Sequence, residues 1–396
     1  MSSFGRELVR LMEARGIGVR ELARVVPCNP GHISNLRSGK ARPSPKLAAI
    51  LDRALEAGGT LGALASEPIP PPQQDEDEIA ALELARRAEA SDVGNGTAQR
   101  LGMAADDLAV AYPSSPPAIL LERLRTHLGC TGRLLDARAT LAQRRSLLMS
   151  GGWLSLLAAT CLTDLHRDAA AAAYLRTAAQ LAAEADHAEI AAWVLETQAW
   201  QALTAGQFRR AAELSQAAQR LAPHGSSAHI QATAQEARAW ARIGARTETY
   251  DALARMERLV SPLPVPERPE HHYRYDPPKA AIYIATTLSW LGDLAAEGLA
   301  RQVLAAIESA DRPRPRRAAL ARLDLALALA AVGKDDEAAG VALEAVMSGY
   351  LAPVDGRRVL DVVRAVPPSA PNARELAAAY ADSRQARHSE QGLSAG

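Results

Sequence analysis

The stretch Val19–Gly39, VRELARVVPCNPGHISNLRSG, predicts two short helices joined by a tight turn. Its apolar residues fall at helical spacing in two stripes, one before the turn and one after it. The stripes are Leu22, Ala23 and Val26, and then Cys28, Ile33 and Leu36. Asn29 followed by Pro30 is typical of an N-cap with proline at the first helical position. The small Ala23 would let the second helix cross close over the first.

Further helices are predicted on both sides of this stretch. Gly16 and Gly39 are natural C-terminal stops, and Ser44 followed by Pro45 repeats the N-cap pattern. Apolar periodicity predicts the helices themselves. They are expected at Phe4–Arg15, Val19–Val25, Pro30–Ser38, Ser44–Leu55 and Thr60–Leu64. The first 66 residues are therefore expected to form a five-helix domain.

Length and composition predict an almost all-α protein of more than one domain. The chain has 396 residues, which is more than one ordinary compact core accommodates. Hydrophobic residues make up 48% and aromatic residues only 4%. Abundant Ala and Leu with few aromatic and β-branched residues favour closely packed helices over β-sandwiches.

Cysteine usage and the N-terminus predict a cytoplasmic protein without cofactor or metal. Cys28, Cys130 and Cys161 are too few and too scattered for a disulfide framework or a zinc site. The first residues lack the apolar core of a signal peptide, and no long uncharged apolar run predicts a membrane span.

Charge is concentrated in the N-terminal domain, although the whole chain has a formal net charge of zero. Residues 1–66 contain ten Arg and Lys residues against five Asp and Glu residues. A basic domain on a neutral protein is typical of phosphate binding.

Two segments of this domain, FGRELVRLMEARGIGVRELARVV and ISNLRSGKARPSPKLAAILDRAL, resemble helix-turn-helix domains of the xenobiotic-response-element (XRE) family. The resemblance covers about 60 residues and implies binding of double-stranded DNA. In that family the helix at Pro30–Ser38 would lie in the major groove. The resemblance places four residues at base edges, namely Pro30, Gly31, His32 and Asn35. An Asn amide can pair with adenine through two hydrogen bonds.

The same resemblance places basic side chains against DNA phosphates. These are Arg20, Arg37, Lys40 and Arg42. Arg37 departs from the family, in which an acidic residue is common there, and Pro27 replaces the usual turn glycine. Proline cannot adopt positive φ, so the turn is expected to take another shape. A solvated helix face remains the alternative interpretation of His32 and Asn35.

A boundary follows the N-terminal domain. Residues 67–78 are rich in proline and end in an acidic run, a composition typical of a semi-rigid spacer. We therefore expect a DNA-binding domain at 1–66, a linker at 67–78, a helical repeat domain at 79–388 and a disordered tail at 389–396.

The segment Ala192–Pro223 resembles one tetratricopeptide (TPR) repeat, and four neighbouring segments are similar to it. Small residues permit close crossing of its two helices; they are Ala199, Ala202, Ala211 and Ala218. The five predicted turns fall at His166, Gly206, Gly244, Gly292 and Gly333. All five tryptophans precede these turns on the first helix of a pair. The pattern predicts a TPR-like α-solenoid that has the first helices on its concave side.

TPR geometry predicts a ligand groove on the concave side. The candidate effector residues are Trp193, Glu196, Trp200, Gln231, Gln235, Arg238 and Arg242. Two arginines one turn apart can hold a carboxylate or phosphate, and tryptophan rings supply apolar area. Alternatively, the tryptophans are inter-repeat core and the polar stripe is merely solvated.

The longest spacing between turns marks an insertion at Pro262–Pro278, which contains His271 and His272. Adjacent histidines without a spaced third ligand are weak evidence for metal. We expect this insertion to fold over the concave face or to pack against a partner.

No enzyme motif is present: the sequence lacks a phosphate-binding loop, a metalloprotease helix and a nucleophile elbow. The combination of domains resembles transcriptional regulators of the Rgg and PlcR type and similar regulators of high-GC bacteria. That resemblance implies a homodimer on a palindromic operator, controlled by a peptide or small acidic effector. The alternative is a TPR protein-interaction scaffold that the N-terminal domain localises to DNA, without any small ligand.

Overall fold

Helices form all the regular structure in the computed structural model, which describes residues 3–65, 83–87, 89–94, 96–264, 271–310 and 313–382. These ranges contain no strand, so the prediction of an all-α fold is confirmed. The chain divides into two compact units, Met1–Arg87 and Ala88–Gly396, called here the N-terminal and C-terminal units. The expected linker at 67–78 and tail at 389–396 lie outside the described residues.

The N-terminal unit begins with five helices whose bounds lie close to the predicted ones. They are α1 (Ser3–Ala14), α2 (Val19–Val25), α3 (Pro30–Ser38), α4 (Pro45–Ala54) and α5 (Thr60–Ala65). Local chemistry explains these bounds. Asn29 Oδ1 accepts a hydrogen bond of 2.7 Å from the backbone N–H of His32 at the start of α3. Gly39 ends α3 with φ of 79°, a conformation that glycine adopts without strain.

The turn between α2 and α3 has a shape that accommodates proline. Val26 has φ of −113° and ψ of 152°, which is extended backbone. No residue from Val26 to Asn29 has a positive φ. The prediction that Pro27 requires a turn without positive φ is therefore confirmed.

An apolar core holds the five helices together. Its fully buried members come from every helix and include Leu8, Leu22, Ile33, Leu36 and Leu51. Of the predicted stripes, Ala23 and Cys28 are only half-buried. The core fixes α3 by one face, which leaves the opposite face of that helix at the surface.

The C-terminal unit consists of helices arranged mainly in pairs. They are α6 (Thr97–Ala111), α7 (Pro117–Asp136), α8 (Leu141–Asp164), α9 (Asp168–Glu184), α10 (Ala188–Thr204), α11 (Phe208–Leu221), α12 (Ser227–Ile243), α13 (Arg246–Val260), α14 (Pro277–Leu291), α15 (Ala296–Glu308), α16 (Pro315–Ala331), α17 (Asp335–Met347) and α18 (Gly356–Ala365). Short 3₁₀ turns occur at Tyr112–Ser114 and Pro353–Asp355. Residues 373–382 are also helical.

Five helical hairpins, from α8/α9 to α16/α17, follow one another in this unit. Each hairpin turns at a residue with positive φ, between 54° and 81°. These residues are the five predicted ones: His166, Gly206, Gly244, Gly292 and Gly333. The small residues predicted to allow close crossing in the second hairpin are buried. The hairpin pattern in the sequence is thus present in the structure.

The first helices of successive hairpins pack on one another and form an inner row. Contacts run from α8 to α10, α12, α14 and α16 in that order. This arrangement is compatible with a helical solenoid. The two ends of the inner row are also connected through the 3₁₀ turns. The last helix of the row, α16, contacts the Tyr112–Ser114 turn, and the first helix, α8, contacts the Pro353–Asp355 turn. The inner row therefore encloses a space between its two ends.

One helix in the described ranges, α8, is long and apolar enough to cross a bilayer, which the sequence did not lead us to expect. In its most apolar stretch, 78% of the residues are buried inside the protein. Such burial is also found in core helices, so the helix is weak evidence for a membrane span.

Candidate DNA-binding surface and interior cavity

A cavity of about 210 Å³ lies inside the C-terminal unit, between the helices of the inner row. Every first helix from α8 to α16 contributes to its wall, together with the Tyr112–Ser114 and Pro353–Asp355 turns and α18. We call this space the interior cavity. Residues far apart in sequence meet here because the row of first helices returns on itself.

Six of the seven residues predicted for the effector groove line the interior cavity. They are Glu196, Trp200, Gln231, Gln235, Arg238 and Arg242. Trp193, the seventh, does not line it. Its side chain is 1% exposed and packs against Tyr273 of the insertion, at 5.1 Å between ring centroids. Trp193 therefore belongs to the core, because the insertion covers the face that TPR geometry assigned to the groove.

The insertion folds back into the array rather than away from it. The backbone N–H of His272 donates to the carbonyl of Ala109, and the His272 ring lines the interior cavity. His271 Nε2 lies 3.0 Å from Asp106 Oδ1. No group of three potential metal ligands occurs in the described part of the chain. Residues 265–270 of the insertion lie outside it.

Positive charge predominates in the cavity wall. Seven basic and four acidic side chains line it. The basic ones are Arg238, Arg242, Lys279, Arg316, Arg317, Arg357 and Arg358, and the acidic ones are Glu196, Asp324, Asp355 and Asp361. Burial raises the pKa of Glu196 and of Asp355, which favours their neutral forms and so reduces the negative charge of the cavity wall.

Three of these arginines are neutralised by carboxylates. Arg242 pairs with Asp361 at 2.7 Å, and Arg358 pairs with Asp324. Arg316 pairs with Asp164 at 2.7 Å through two hydrogen bonds. Asp164 is fully buried and also accepts a hydrogen bond from the Tyr112 hydroxyl. The ion pair of Asp164 and Arg316 joins the two ends of the inner row, because Asp164 is the last residue of α8 and Arg316 lies in the first turn of α16.

Arg238 differs from the other three. It is 9% exposed, and no carboxylate in the described residues forms an ion pair with it. Its Nη1 donates to Gln235 Oε1 at 3.0 Å, while its Nε has no partner. The guanidinium lies over the rings of Tyr283 and Trp290, at 5.0 and 4.7 Å from their centroids. Burial lowers the pKa of Arg238, although an arginine remains charged at neutral pH.

Two neighbouring glutamines also carry buried polar atoms without partners. Gln231 Nε2 donates to Glu196 at 2.9 Å and to the Tyr283 hydroxyl at 2.7 Å, whereas Gln231 Oε1 has no partner. Gln235 is fully buried, and its Nε2 donates to nothing. A buried unpaired polar group costs about 1–3 kcal/mol. Gln231, Gln235 and Arg238 thus keep unsatisfied hydrogen-bonding capacity beside the cavity.

The sequence contained a signal for cavity residues that the prediction missed. Gln231, Gln235 and Arg238 precede the turn glycine of their hairpin by 13, 9 and 6 residues. The same offsets from Gly292 give Lys279, Tyr283 and Thr286, which also line the cavity. Transfer of the offsets from one hairpin to the next would have found them. Nothing local marks Arg316, which reaches the cavity only through the return of the row.

In the N-terminal unit, three of the residues predicted at base edges are exposed. Pro30 and Gly31 stand at the start of α3, and Asn35 lies one turn further on. The Asn35 side chain forms no hydrogen bond in the structure. His32 is half-buried, and its backbone N–H is held by Asn29. Together they form the outward face of α3, opposite the buried Ile33 and Leu36.

The predicted phosphate-binding residues surround this face. Arg20, Lys40 and Arg42 are exposed and form no ion pair with a carboxylate of the described residues. By contrast, Arg10 and Arg15 pair with Glu7 and Glu56. Arg37 is half-buried with an unpartnered Nε. Cations without internal partners therefore flank α3.

Comparison with protein families identifies this unit. Residues 3–64 match the family described as a helix-turn-helix domain. No curated protein and no solved structure matches the chain. Residues 3–64 therefore form a helix-turn-helix domain, with α2 and α3 as the two helices of the motif.

The turn of the helix-turn-helix domain is built from Val26, Pro27 and Cys28. The Cys28 N–H donates to the Val26 carbonyl at 2.7 Å, which tightens the turn without a positive φ.

Proposed function

We propose that the chain is a sequence-specific transcriptional regulator that binds DNA through α3 and responds to an effector bound in the interior cavity. The helix-turn-helix domain is the single observation that carries this proposal. It supports a DNA-binding regulator rather than an enzyme. A regulator of this kind acts in the compartment that holds DNA.

On the DNA side, α3 enters the major groove with its outward face. Asn35 is the residue best suited to direct reading, because its exposed amide has both a donor and an acceptor available for adenine. His32 contributes a second polar contact, while Pro30 and Gly31 allow close approach of the backbone. Arg20, Arg37, Lys40 and Arg42 bind phosphates and set the orientation of the domain.

Few side chains on α3 can read bases, so one copy of the domain has limited specificity. We propose that the C-terminal unit, as a TPR-like array, forms a homodimer and presents two domains to a palindromic operator. Two half-sites about one helical turn apart would make affinity depend steeply on the distance between the two domains. An effector that favours one dimer geometry then shifts the population that can bind.

On the effector side, the inner row brings together the polar and aromatic residues of the predicted groove. The excess of basic over acidic side chains in the cavity wall supports an acidic effector. The cavity also supports ligand binding over a pure scaffold function, because a scaffold that recognises proteins by its outer surface does not require buried, unpartnered polar atoms.

A gel-shift titration with the protein's own upstream DNA tests the proposed DNA binding. We expect a complex with this duplex at concentrations that leave a scrambled duplex unbound. We also expect a steep loss of affinity as salt rises, because phosphate contacts release counterions. Lys40→Ala should weaken binding to both duplexes and reduce the salt dependence by about one unit of slope. Binding without sequence preference and without salt dependence would rule out the proposal.

A further inference from the structure

Several aromatic and charged side chains of the interior cavity lie close to the guanidinium of Arg238. The Trp290 ring has three guanidinium groups near it, at 4.7, 5.2 and 5.5 Å from its centroid. Those groups belong to Arg238, Arg242 and Arg358. Two of them are neutralised by Asp361 and Asp324. The third, Arg238, has no carboxylate, so the positive charge left over in this part of the wall is located at one known side chain.

Two unpartnered donors accompany that charge. Arg238 Nε and Gln235 Nε2 have no hydrogen-bond partner among the residues that the structure describes, and both side chains are at least nine-tenths buried and line the cavity. An anion is the group that satisfies an N–H of an arginine and an N–H of an amide at once.

Gln231 supplies the complementary group. Its Oε1 accepts no hydrogen bond from the described residues, whereas its amide nitrogen donates to Glu196 and Tyr283. This atom can accept a hydrogen bond from a hydroxyl or N–H of an occupant. The face of α12 therefore offers two donors and one acceptor along consecutive turns.

Aromatic rings form the rest of the wall near Arg238. Trp200, Tyr283 and Trp290 line the cavity and are each only half-buried, so they expose apolar surface to it. A planar apolar group packs well on such rings. Because Tyr283 and Trp290 also contact the guanidinium of Arg238, a bound ring and its anionic substituent would lie next to each other.

The size of the cavity limits the occupant. Its volume is about 210 Å³. A cavity of about 150 Å³ can hold benzene. Pockets for drug-sized ligands measure about 300–1,000 Å³. One ring with a short charged substituent fits, whereas a peptide of several residues would extend beyond the space between the helices.

We propose that the interior cavity binds a small organic anion with one planar ring, and that Arg238 and Gln235 hold its carboxylate or phosphate. This inference rests on the proposed function, since it names the chemical class of the effector. Trp200 and Trp290 receive the ring.

Isothermal titration calorimetry of the full-length protein tests the proposal with four probes: benzoate, phenyl phosphate, inorganic phosphate and benzamide. Benzoate or phenyl phosphate should bind one molecule per chain, with a Kd at least tenfold lower than that of benzamide, the neutral analogue. The preferred anion of the two identifies the charged group. Inorganic phosphate should bind at least tenfold more weakly than the better aromatic probe, because it lacks the ring.

Two variants locate the binding. Arg238→Gln should raise the Kd of the better anion at least tenfold. The matched control is the double variant Arg301→Gln/Glu337→Gln, which removes an exposed ion pair outside the cavity and leaves the net charge unchanged. Its Kd should stay within threefold of the wild-type value.

The proposal is overturned if neither aromatic anion binds, if benzamide binds equally well, or if Arg238→Gln binds like the wild type. The comparison between benzoate and benzamide uses the wild-type protein, so it remains decisive even when a variant does not fold. No DNA is present in these titrations. A protein that binds benzoate but not its upstream DNA would refute the proposed regulator function and leave this inference intact. A protein that binds its upstream DNA but neither aromatic anion would refute this inference and leave the proposed DNA binding intact.

Discussion

The N-terminal and C-terminal units differ in what they bury. Among the described residues of the helix-turn-helix domain, every buried side chain of the core is apolar, and its polar and charged residues reach the surface. The C-terminal unit buries charged groups as well, among them Asp164, Glu196, Arg238, Lys279 and Asp324. The interior of the helix-turn-helix domain therefore consists of apolar contacts, and its polar and charged side chains are at the surface. The C-terminal unit has polar and charged side chains in its interior.

This difference indicates where each unit acts. A buried charge costs free energy unless it is paired, and apolar packing of similar volume would often stabilise a protein more. A unit that needed its interior only for stability would therefore resemble the helix-turn-helix domain. We therefore propose that the charges inside the C-terminal unit serve a ligand and the closure of the inner row.

Removal of one partner of the buried ion pair should give the largest effect. Arg316→Met leaves the fully buried Asp164 with only the Tyr112 hydroxyl as partner, so the C-terminal unit should lose about 3–5 kcal/mol of unfolding free energy. Urea unfolding followed by tryptophan fluorescence measures this loss, because all five tryptophans belong to the C-terminal unit.

The matched control lies in the other unit. Arg10→Met removes the exposed pair of Arg10 with Glu7, and such surface pairs contribute little to stability. The urea midpoint of this variant, followed by circular dichroism, should stay close to that of the wild type. Equal losses for the two variants would show that burial of the charge does not distinguish the units.

Replacement of the unpaired arginine should have a much smaller effect. Arg238→Met removes a buried charge without leaving a carboxylate behind, and the loss of its hydrogen bond to Gln235 offsets that gain, so the ligand-free C-terminal unit should keep its stability within about 1 kcal/mol. The urea midpoint of tryptophan fluorescence measures the change. A loss of 2 kcal/mol or more would mean that Arg238 serves the fold and not a ligand.

A change of pH should alter anion binding modestly through Glu196. Burial raises the pKa of this carboxyl above its usual value, although Gln231, Lys279 and Arg238 oppose the shift. A raised pKa means that the group favours folding most at low pH, and that this contribution is lost as pH rises through the raised value. The ionised form also repels an anion held by Arg238, so benzoate should bind more weakly as pH rises through that value.

Glu196→Gln tests the pH effect, because it fixes this side chain in a neutral form. At a pH well above the raised pKa of Glu196, the variant should bind benzoate about 1 kcal/mol more tightly than the wild type, roughly fivefold, and the dependence of its affinity on pH should flatten. Calorimetric titrations at several pH values measure both. An unchanged pH profile would assign the titration to another group.

Sequence reasoning succeeded where short-range chemistry decides the structure. Asn29 and Ser44 cap their helices as predicted, and each hairpin of the array turns at the predicted residue. These features depend on residues a few positions apart. Periodicity within α12 was also enough to bring Gln231, Gln235 and Arg238 to one face.

Long-range packing set the limit of prediction. Asp164 and Arg316 are separated by 152 residues, and no local pattern announces their ion pair. The core position of Trp193 depends on Tyr273, which the insertion carries back over the first hairpins. Periodicity places both Trp193 and Trp200 on the inner side, but only the path of the insertion decides which of them reaches the cavity.

Selection of bound sequences from a random DNA pool by the full-length protein tests the central claim most directly. The wild type should enrich two inverted half-sites about one helical turn apart. Asn35→Ala should lose preference at one adenine position of each half-site, at a cost of about 1–3 kcal/mol, and keep the spacing. A wild-type protein that enriches no motif, or an Asn35→Ala protein with an unchanged motif, would contradict the claim that α3 reads DNA.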